Sequence, residues 1–117
     1  MSGAREEIAE VLTALDGIEV FAEYRAVTTP GQGFVTWLRT EYPNTFGGED
    51  YWGVLIAVPQ DTAAAEQWIA QNKARVIKAL TKSRVLVVTQ ARPEIVAITD
   101  NPSQKVLTIE GHRESEE

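Results

Sequence analysis

Residues 34–58 read FVTWLRTEYPNTFGGEDYWGVLIAV, and this stretch decides the fold. Its two ends, 34–42 and 51–58, are rich in aromatic and β-branched residues, which favour strands. Between them lie Pro43 and the pair Gly47-Gly48, residue types that favour a turn. The stretch therefore predicts a long β-hairpin whose strands are joined by a wide loop over residues 43–50.

A long helix is predicted directly after the hairpin. Pro59 ends the strand, and Asp61 is a suitable N-cap for the alanine-rich segment that begins at residue 62. The apolar side chains that follow recur with helical spacing along one side: Ala65, Ile69, Val76 and Leu80, flanked by Trp68 and Ile77. We expect this helix to run to about residue 81 and to cover the sheet.

The chain before the hairpin predicts one helix and one strand. Ile8, Val11, Leu12 and Leu15 follow the spacing of a helix with one apolar face, and Gly17 is expected at the C′ position that ends it. Residues 18–25 alternate between apolar and polar side chains, which predicts a half-buried strand. Residues 28–33 contain one proline and two glycines and are expected to form a loop.

The last third of the chain predicts two strands. Residues 85–91 form the first, with a continuation over 95–99, and residues 106–111 form the second after a turn at 100–103. Residues 113–117 are expected to be a flexible acidic tail. The prediction is a single α+β domain spanning residues 1–117, of order α-β-β-β-α-β-β, with a mainly antiparallel sheet.

Composition narrows the function classes. The chain has no cysteine, which removes disulfides, thiolate metal sites and cysteine nucleophiles. Its formal charge of −6 has the wrong sign for a protein that grips phosphate backbones. No apolar run reaches the length of a signal peptide core or a membrane span, so we expect a cytosolic product with no membrane partner.

Few residues could carry chemistry. His112 is the only histidine and lacks a second ligand or nucleophile at useful spacing, while Glu49 and Asp50 are adjacent acids typical of a solvated loop tip. Gly31-Gln32-Gly33 precedes a strand, whereas a phosphate-binding turn precedes a helix. We expect no catalytic residue, no metal and no cofactor, and hence a structural protein and no enzyme.

The charge is distributed unevenly. Residues 1–61 hold ten acids and three bases, and residues 62–117 hold seven acids and eight bases. Five of those bases lie within twelve residues of the second helix and its exit: Lys73, Arg75, Lys78, Lys82 and Arg84. They form either a solvated face balanced by acids of the same fold, or a subunit interface that meets the acidic half of a second copy.

The hairpin carries more aromatic surface than it can bury alone. Its aromatic residues are Trp37, Tyr42, Phe46, Tyr51 and Trp52. Because neighbouring residues of a strand point to opposite faces, at least one of Tyr51 and Trp52 should lie away from the main core. The candidate partner-binding loop consists of Phe46, Gly47, Gly48, Glu49, Asp50, Tyr51 and Trp52.

This organisation resembles the tail terminator proteins of long-tailed bacteriophages, which complete the tail and join it to the head. The resemblance lies in the element order, in Ile18-Glu19-Val20-Phe21 after the first helix, and in Phe46-Gly47-Gly48 leading into Tyr51-Trp52. It implies a homo-oligomeric ring, usually a hexamer, that binds the tail tube protein and the head connector protein. It also implies a virion location at the tail-head junction after synthesis in the host cytoplasm, with DNA passing through the ring without specific binding.

Two alternatives remain. Another head-tail connector or neck protein of a bacteriophage would also be small and oligomeric. A ligand-binding α+β module would instead use the aromatic hairpin and the Gly31–Gly33 segment as a small-molecule pocket.

Overall fold

Two helices and five strands form the molecule, in the predicted order α-β-β-β-α-β-β. The computed structural model describes residues 3–44, 47–96 and 104–115. The elements are α1 Ala4–Thr13, β1 Glu19–Phe21, β2 Gln32–Asn44, β3 Gly47–Ala57, α2 Thr62–Lys82, β4 Val87–Val96 and β5 Gln104–Glu114.

The five strands form one sheet in the order β1-β2-β3-β5-β4, and both helices pack on the same face of it. All neighbouring strands are antiparallel except β1 and β2, which are parallel. The centre of the core consists of fully buried aliphatic side chains from both layers: Ile8, Leu12, Val35, Val54, Ile56, Val76, Leu80, Leu107 and Ile109. The predicted α+β class with a mainly antiparallel sheet is therefore confirmed.

The first strand is shorter than predicted. Residues 18–25 were expected to be extended, but β1 contains only Glu19–Phe21, paired with residues 32–34 of β2. A parallel neighbour requires the chain to return to the start of β1 before β2 begins, so residues 22–31 leave the sheet. On the way back they cover its helix-free face, where Val27 is 1% exposed and the Tyr24 ring packs edge-on against Phe34 at 5.0 Å.

The first helix also ends earlier than predicted. Its C-cap is Ala14, so Gly17 lies beyond the expected C′ position, although it does adopt a left-handed backbone with φ 78°. Thr13 explains the early end. Its hydroxyl accepts from the Val20 backbone N–H at 3.0 Å and donates to the Val20 carbonyl at 3.1 Å, which binds the last turn of α1 to β1.

The wide hairpin loop was predicted wrongly. Strand β2 runs to Asn44 and β3 begins at Gly47, so residues 47–50 are paired strand residues. The reason is a third strand, because β5 pairs with β3 as far as Glu49 opposite Glu114. That pairing supports the hairpin well past the helices, and the longest dimension of the molecule is 46 Å.

The C-terminal segment is more ordered than predicted. Arg113 and Glu114, assigned to a flexible tail at 113–117, belong to β5, and the Ser115 N–H donates to the Gly48 carbonyl at 2.8 Å. Arg113 also lies 3.4 Å from the Glu7 carboxylate of α1. Residues 116 and 117 lie outside the described residues, as does the predicted turn at 100–103.

The penultimate strand is continuous where an interruption was predicted. Strand β4 passes through Pro93, which lacks a backbone N–H. Because β4 is an edge strand of the described sheet, it pairs only with β5, and an edge strand tolerates a residue without an N–H. The two predicted pieces over 85–91 and 95–99 therefore form one strand as far as Val96, and residues 97–99 lie outside the described residues.

The second helix has the predicted N-cap and an unpredicted C-cap. Asp61 accepts from the Ala64 N–H at 3.0 Å, as expected. At the other end, Arg84 has φ 57°, and two hydrogen bonds close the turn, from the Arg84 N–H to the Thr81 carbonyl and from the Val85 N–H to the Leu80 carbonyl. This pair of bonds is a Schellman motif with arginine at C′, the position that favours glycine.

Replacing Arg84 with glycine should stabilise the protein, because only glycine adopts the left-handed conformation without a steric penalty. Arg84→Gly should exceed Arg84→Ala in free energy of unfolding by about 1 kcal/mol. Arg84→Ala is the matched control, since it removes the same charge and keeps the penalty. Urea denaturation followed by tryptophan fluorescence measures the difference, and equal stabilities would contradict the assigned strain.

Candidate interaction surfaces

The five basic residues predicted as one interface do not share one helix face. Lys73 precedes Lys78 by five residues, which separates the two side chains by about 140° around the helix axis. Arg75, Lys78 and Lys82 lie on the flank that faces α1, and Arg84 lies beyond the end of α2. Lys73, Lys78 and Lys82 line a separate concavity on α2, so the basic residues form two overlapping clusters and no single stripe. The cluster on the flank that faces α1 consists of Arg75, Lys78 and Lys82.

That cluster forms one wall of a groove between the two helices, with a volume of about 730 Å³. The floor is apolar and consists of Val11, Ala14, Leu15, Ala79 and Val85. Glu7 and Glu10 of α1 stand on the opposite wall. The groove therefore has an apolar floor, one basic wall and one acidic wall.

Arg75 is half-buried and ties the helices together. Its Nη2 donates to the Asp16 carbonyl at 2.6 Å, and its Nε donates to the Asn72 side chain at 2.9 Å. Asp16 follows the end of α1, so the guanidinium holds that end against α2. Arg75 is thus committed to the fold of its own chain and is less suited to a partner than its neighbours.

Lys78 and Lys82 are exposed, and neither forms an ion pair within 4 Å with a carboxylate of residues 3–44, 47–96 or 104–115. Glu7, on the facing wall, pairs with Arg113 at 3.4 Å. The acids of α1 lie near enough to moderate the positive potential of the groove. Both interpretations of the basic residues, a solvated face and a subunit interface, remain compatible with this geometry.

The predicted hairpin loop is a piece of paired strand. Of its seven residues, Phe46 lies outside the described residues and the other six belong to β3. Trp52 is buried in the core under the Arg5 guanidinium, whose Cζ lies 5.3 Å from the ring centroid. Tyr51 points to the helix-free face, which confirms that one of this pair lies away from the main core.

A row of polar and aromatic side chains crosses the helix-free face around Tyr51. The Arg39 guanidinium lies 4.0 Å from the Tyr51 ring centroid and donates to Glu41 at 2.6 Å. The pKa of Arg39 lies above its ordinary value, mainly because of this hydrogen bond. Farther along the face, Arg92 donates to Glu110, and that hydrogen bond raises the pKa of Arg92 in the same way.

His112 belongs to this row and not to a frayed end. It lies on β5 opposite Tyr51, with ring centroids 5.3 Å apart, and its Nδ1 lies 2.9 Å from Glu49 Oε2. Asp50, the other predicted acid, points to the opposite face. The structure therefore joins Glu49 to His112 and separates both from Asp50. Among the described residues, no group of three His, Cys, Asp or Glu side chains could hold a metal ion.

The candidate loop omitted the two exposed aromatic residues of β2. Trp37 and Tyr42 of β2 are 51% and 61% exposed, and both lie on the helix-bearing face where the helices no longer cover it. The Trp37 Nε1–H donates to Thr40 Oγ1 at 3.2 Å, and Thr40 donates to Asp50 Oδ1 at 2.5 Å. The alternation of residues along β2 indicated which side chains share a face, but only the pairing register with β3 shows which of them are exposed.

A second concavity lies at the other end of the sheet. It has a volume of about 490 Å³ between the start of α2 and the ends of β4 and β5, and its lining includes Val58, Ala65, Ile69, Ile95 and Val106. It is distant along the strands from the hairpin end. The pocket predicted for a ligand-binding module, at the hairpin and Gly31–Gly33, is thus not where this cavity lies.

Comparison of the sequence with protein-family models and with curated proteins gives no match. Neither helix of the described chain combines the length and apolar character needed to cross a bilayer.

Proposed function

We propose that this chain is a structural protein of a long-tailed bacteriophage that acts through its surfaces and catalyses no reaction. In this proposal it forms a homo-oligomeric ring, a hexamer, on the end of the tail tube, and it joins the tube to the head connector. The protein is made in the host cytoplasm and resides in the virion at the tail-head junction.

The observation that carries the proposal is the hairpin. Strands β2 and β3 extend beyond the helical layer, and the exposed side chains of Trp37 and Tyr42 lie there on one face of β2. Leu38 is exposed on the other face. Aromatic surface exposed on one face of a small protein favours a protein partner. A projecting hairpin at one end and a charged groove between the helices give the chain two different surfaces, as a ring subunit requires.

The net charge is also compatible with a channel for DNA. A formal charge of −6 disfavours attraction to phosphates, so DNA can pass through a ring of such subunits without being retained. The two flanks of the chain would then contact neighbouring subunits, and the ends of the ring would contact the tube protein and the connector protein.

Electron microscopy of negatively stained samples tests the role. Purified protein is mixed with tail tubes that lack a terminator, and separately with DNA-filled heads that lack tails. Rings seated on tube ends are the expected result. Binding to heads alone would reject the terminator role in favour of a connector or neck protein.

The 490 Å³ cavity favours one other candidate, a ligand-binding α+β module, because an apolar cavity of this volume is suited to a small molecule. A thermal-shift screen of the purified protein with cellular small molecules distinguishes the two. Stabilisation by a small molecule that fails with Ile69→Trp, a variant that fills the cavity, would favour this candidate. We expect no such stabilisation.

A further inference from the structure

An exposed indole normally samples several rotamers, but Trp37 is held in place. Its Nε1–H is bound by Thr40, and Thr40 is in turn bound by Asp50 on the neighbouring strand. The Tyr42 ring lies on the same face against Gly48, where a Cβ would approach Tyr42 Cε1 to 2.9 Å. An aromatic side chain that is ordered before binding loses little conformational entropy when a partner buries it.

The charge on the hairpin complements one wall of the groove. Residues 36–52 hold three acids and one base, and the base, Arg39, is already paired with Glu41. The basic wall of the groove contains Lys78 and Lys82, which form no ion pair with a carboxylate of the described chain. Asp50 lies on the same face of the hairpin as Trp37 and Tyr42. Glu41 and Glu49, in contrast, lie on the helix-free face. The aromatic face of the hairpin therefore offers one carboxylate, and the groove offers an apolar floor and, on one wall, positive charge.

The sizes also match. The groove holds about 730 Å³, within the range of roughly 300–1,000 Å³ typical of sites that bury a compact organic group. Trp37 and Tyr42 project from the same face of one hairpin, so both side chains can enter one groove together. The hairpin cannot reach the groove of its own chain, because β3 is paired on both sides and fixes it to the sheet.

We propose that the hairpin of one copy inserts Trp37 and Tyr42 into the α1–α2 groove of a second copy. This inference rests on the proposed ring and names the contact that builds it. Hairpin and groove are different surfaces of one chain, so the contact is head-to-tail, the type of contact that generates a ring when its rotation closes.

The absence of cysteine makes the contact directly testable by cross-linking. We purify Tyr42→Cys and Ala14→Cys separately; Ala14 lies on the groove floor and is exposed. The two variants are mixed at a concentration at which the protein is oligomeric, and then oxidised. We expect a disulfide dimer that contains one of each variant. Gln67→Cys, exposed on α2 away from the groove, replaces Ala14→Cys in the control and should give no mixed dimer.

Two further variants measure the energetic role of the contact. Trp37→Ala should weaken self-association on the order of tenfold or more, because buried tryptophans dominate interface energies. Thr40→Val keeps the indole and removes its hydrogen-bond partner, so it should weaken association by less. Sedimentation velocity measures association, and far-UV circular dichroism of the dissociated chain verifies that both variants are folded.

The outcomes distinguish a failure of the proposed hairpin–groove contact from a failure of the proposed ring. Rings that persist in Trp37→Ala, together with a cross-linking reaction that gives only dimers of Tyr42→Cys or no mixed dimer, would overturn the contact and leave the ring role standing. A chain that stays monomeric at every concentration and on tail tubes would overturn both.

Discussion

Gly31→Ala should destabilise the protein by about 3 kcal/mol, one of the largest effects that a single methyl group can have here. Gly31 has φ 96°, and a Cβ at this position would lie 2.2 Å from the Gly17 carbonyl oxygen. Neither the backbone at Gly31 nor the backbone at Gly17 can easily move to relieve this contact. The Gly31 N–H donates to the Ala57 carbonyl and its carbonyl accepts from the Glu19 N–H, both at 2.9 Å, so Gly31 joins β1 to the end of β3.

Gly17→Ala is the matched control for this prediction. Gly17 also has a left-handed backbone, with φ 78°, but a Cβ added there would have the end of the Arg75 side chain as its nearest neighbour, at 4.0 Å. It should therefore cost only the conformational penalty, about 1 kcal/mol. Guanidinium denaturation gives both free energies of unfolding. Equal costs would show that the Gly17–Gly31 contact relaxes and does not constrain the fold.

Reversing Lys78 and Lys82 to glutamate should weaken subunit association by roughly tenfold or more and reduce its dependence on salt. Both lysines lie on the basic wall of the groove. The reversal places negative charge opposite Asp50 of an incoming hairpin and beside Glu7 and Glu10. Because the lysines are exposed and outside the core, the helix content of the single chain should be unchanged.

The matched control is the double variant Lys73→Glu with Arg84→Glu. It changes the net charge by the same amount, but neither residue lines the groove. Sedimentation velocity at several salt concentrations compares the two variants. If the control weakened association as strongly as the groove variant, the effect would come from net charge alone and the groove would have no special role.

The sequence was sufficient for the parts of the fold that depend on local pattern. The spacing of Ala65, Val76 and Leu80 predicted the buried side of α2, and Asp61 predicted its start. The predictions of a wide hairpin loop over 43–50 and a flexible tail over 113–117 were wrong, because both depended on long-range strand pairing that local periodicity does not reveal. The partner of β3 along Gly48–Asp50 is β5, more than sixty residues away, so residues that resemble a glycine-rich loop became strand.

The same limit applied to the interaction surfaces. Composition alone identified an aromatic hairpin and a basic helix, and both are present. Which residues are exposed depended on register, since Trp37 and Trp52 lie opposite each other on one face but only Trp52 is buried.

The mass of the protein in solution decides whether the chain forms a hexameric ring. We expect sedimentation velocity, over a range of concentrations and with tail tubes as template where needed, to show a species of six times the 12.9 kDa chain mass. A single 12.9 kDa species under all these conditions would contradict this expectation.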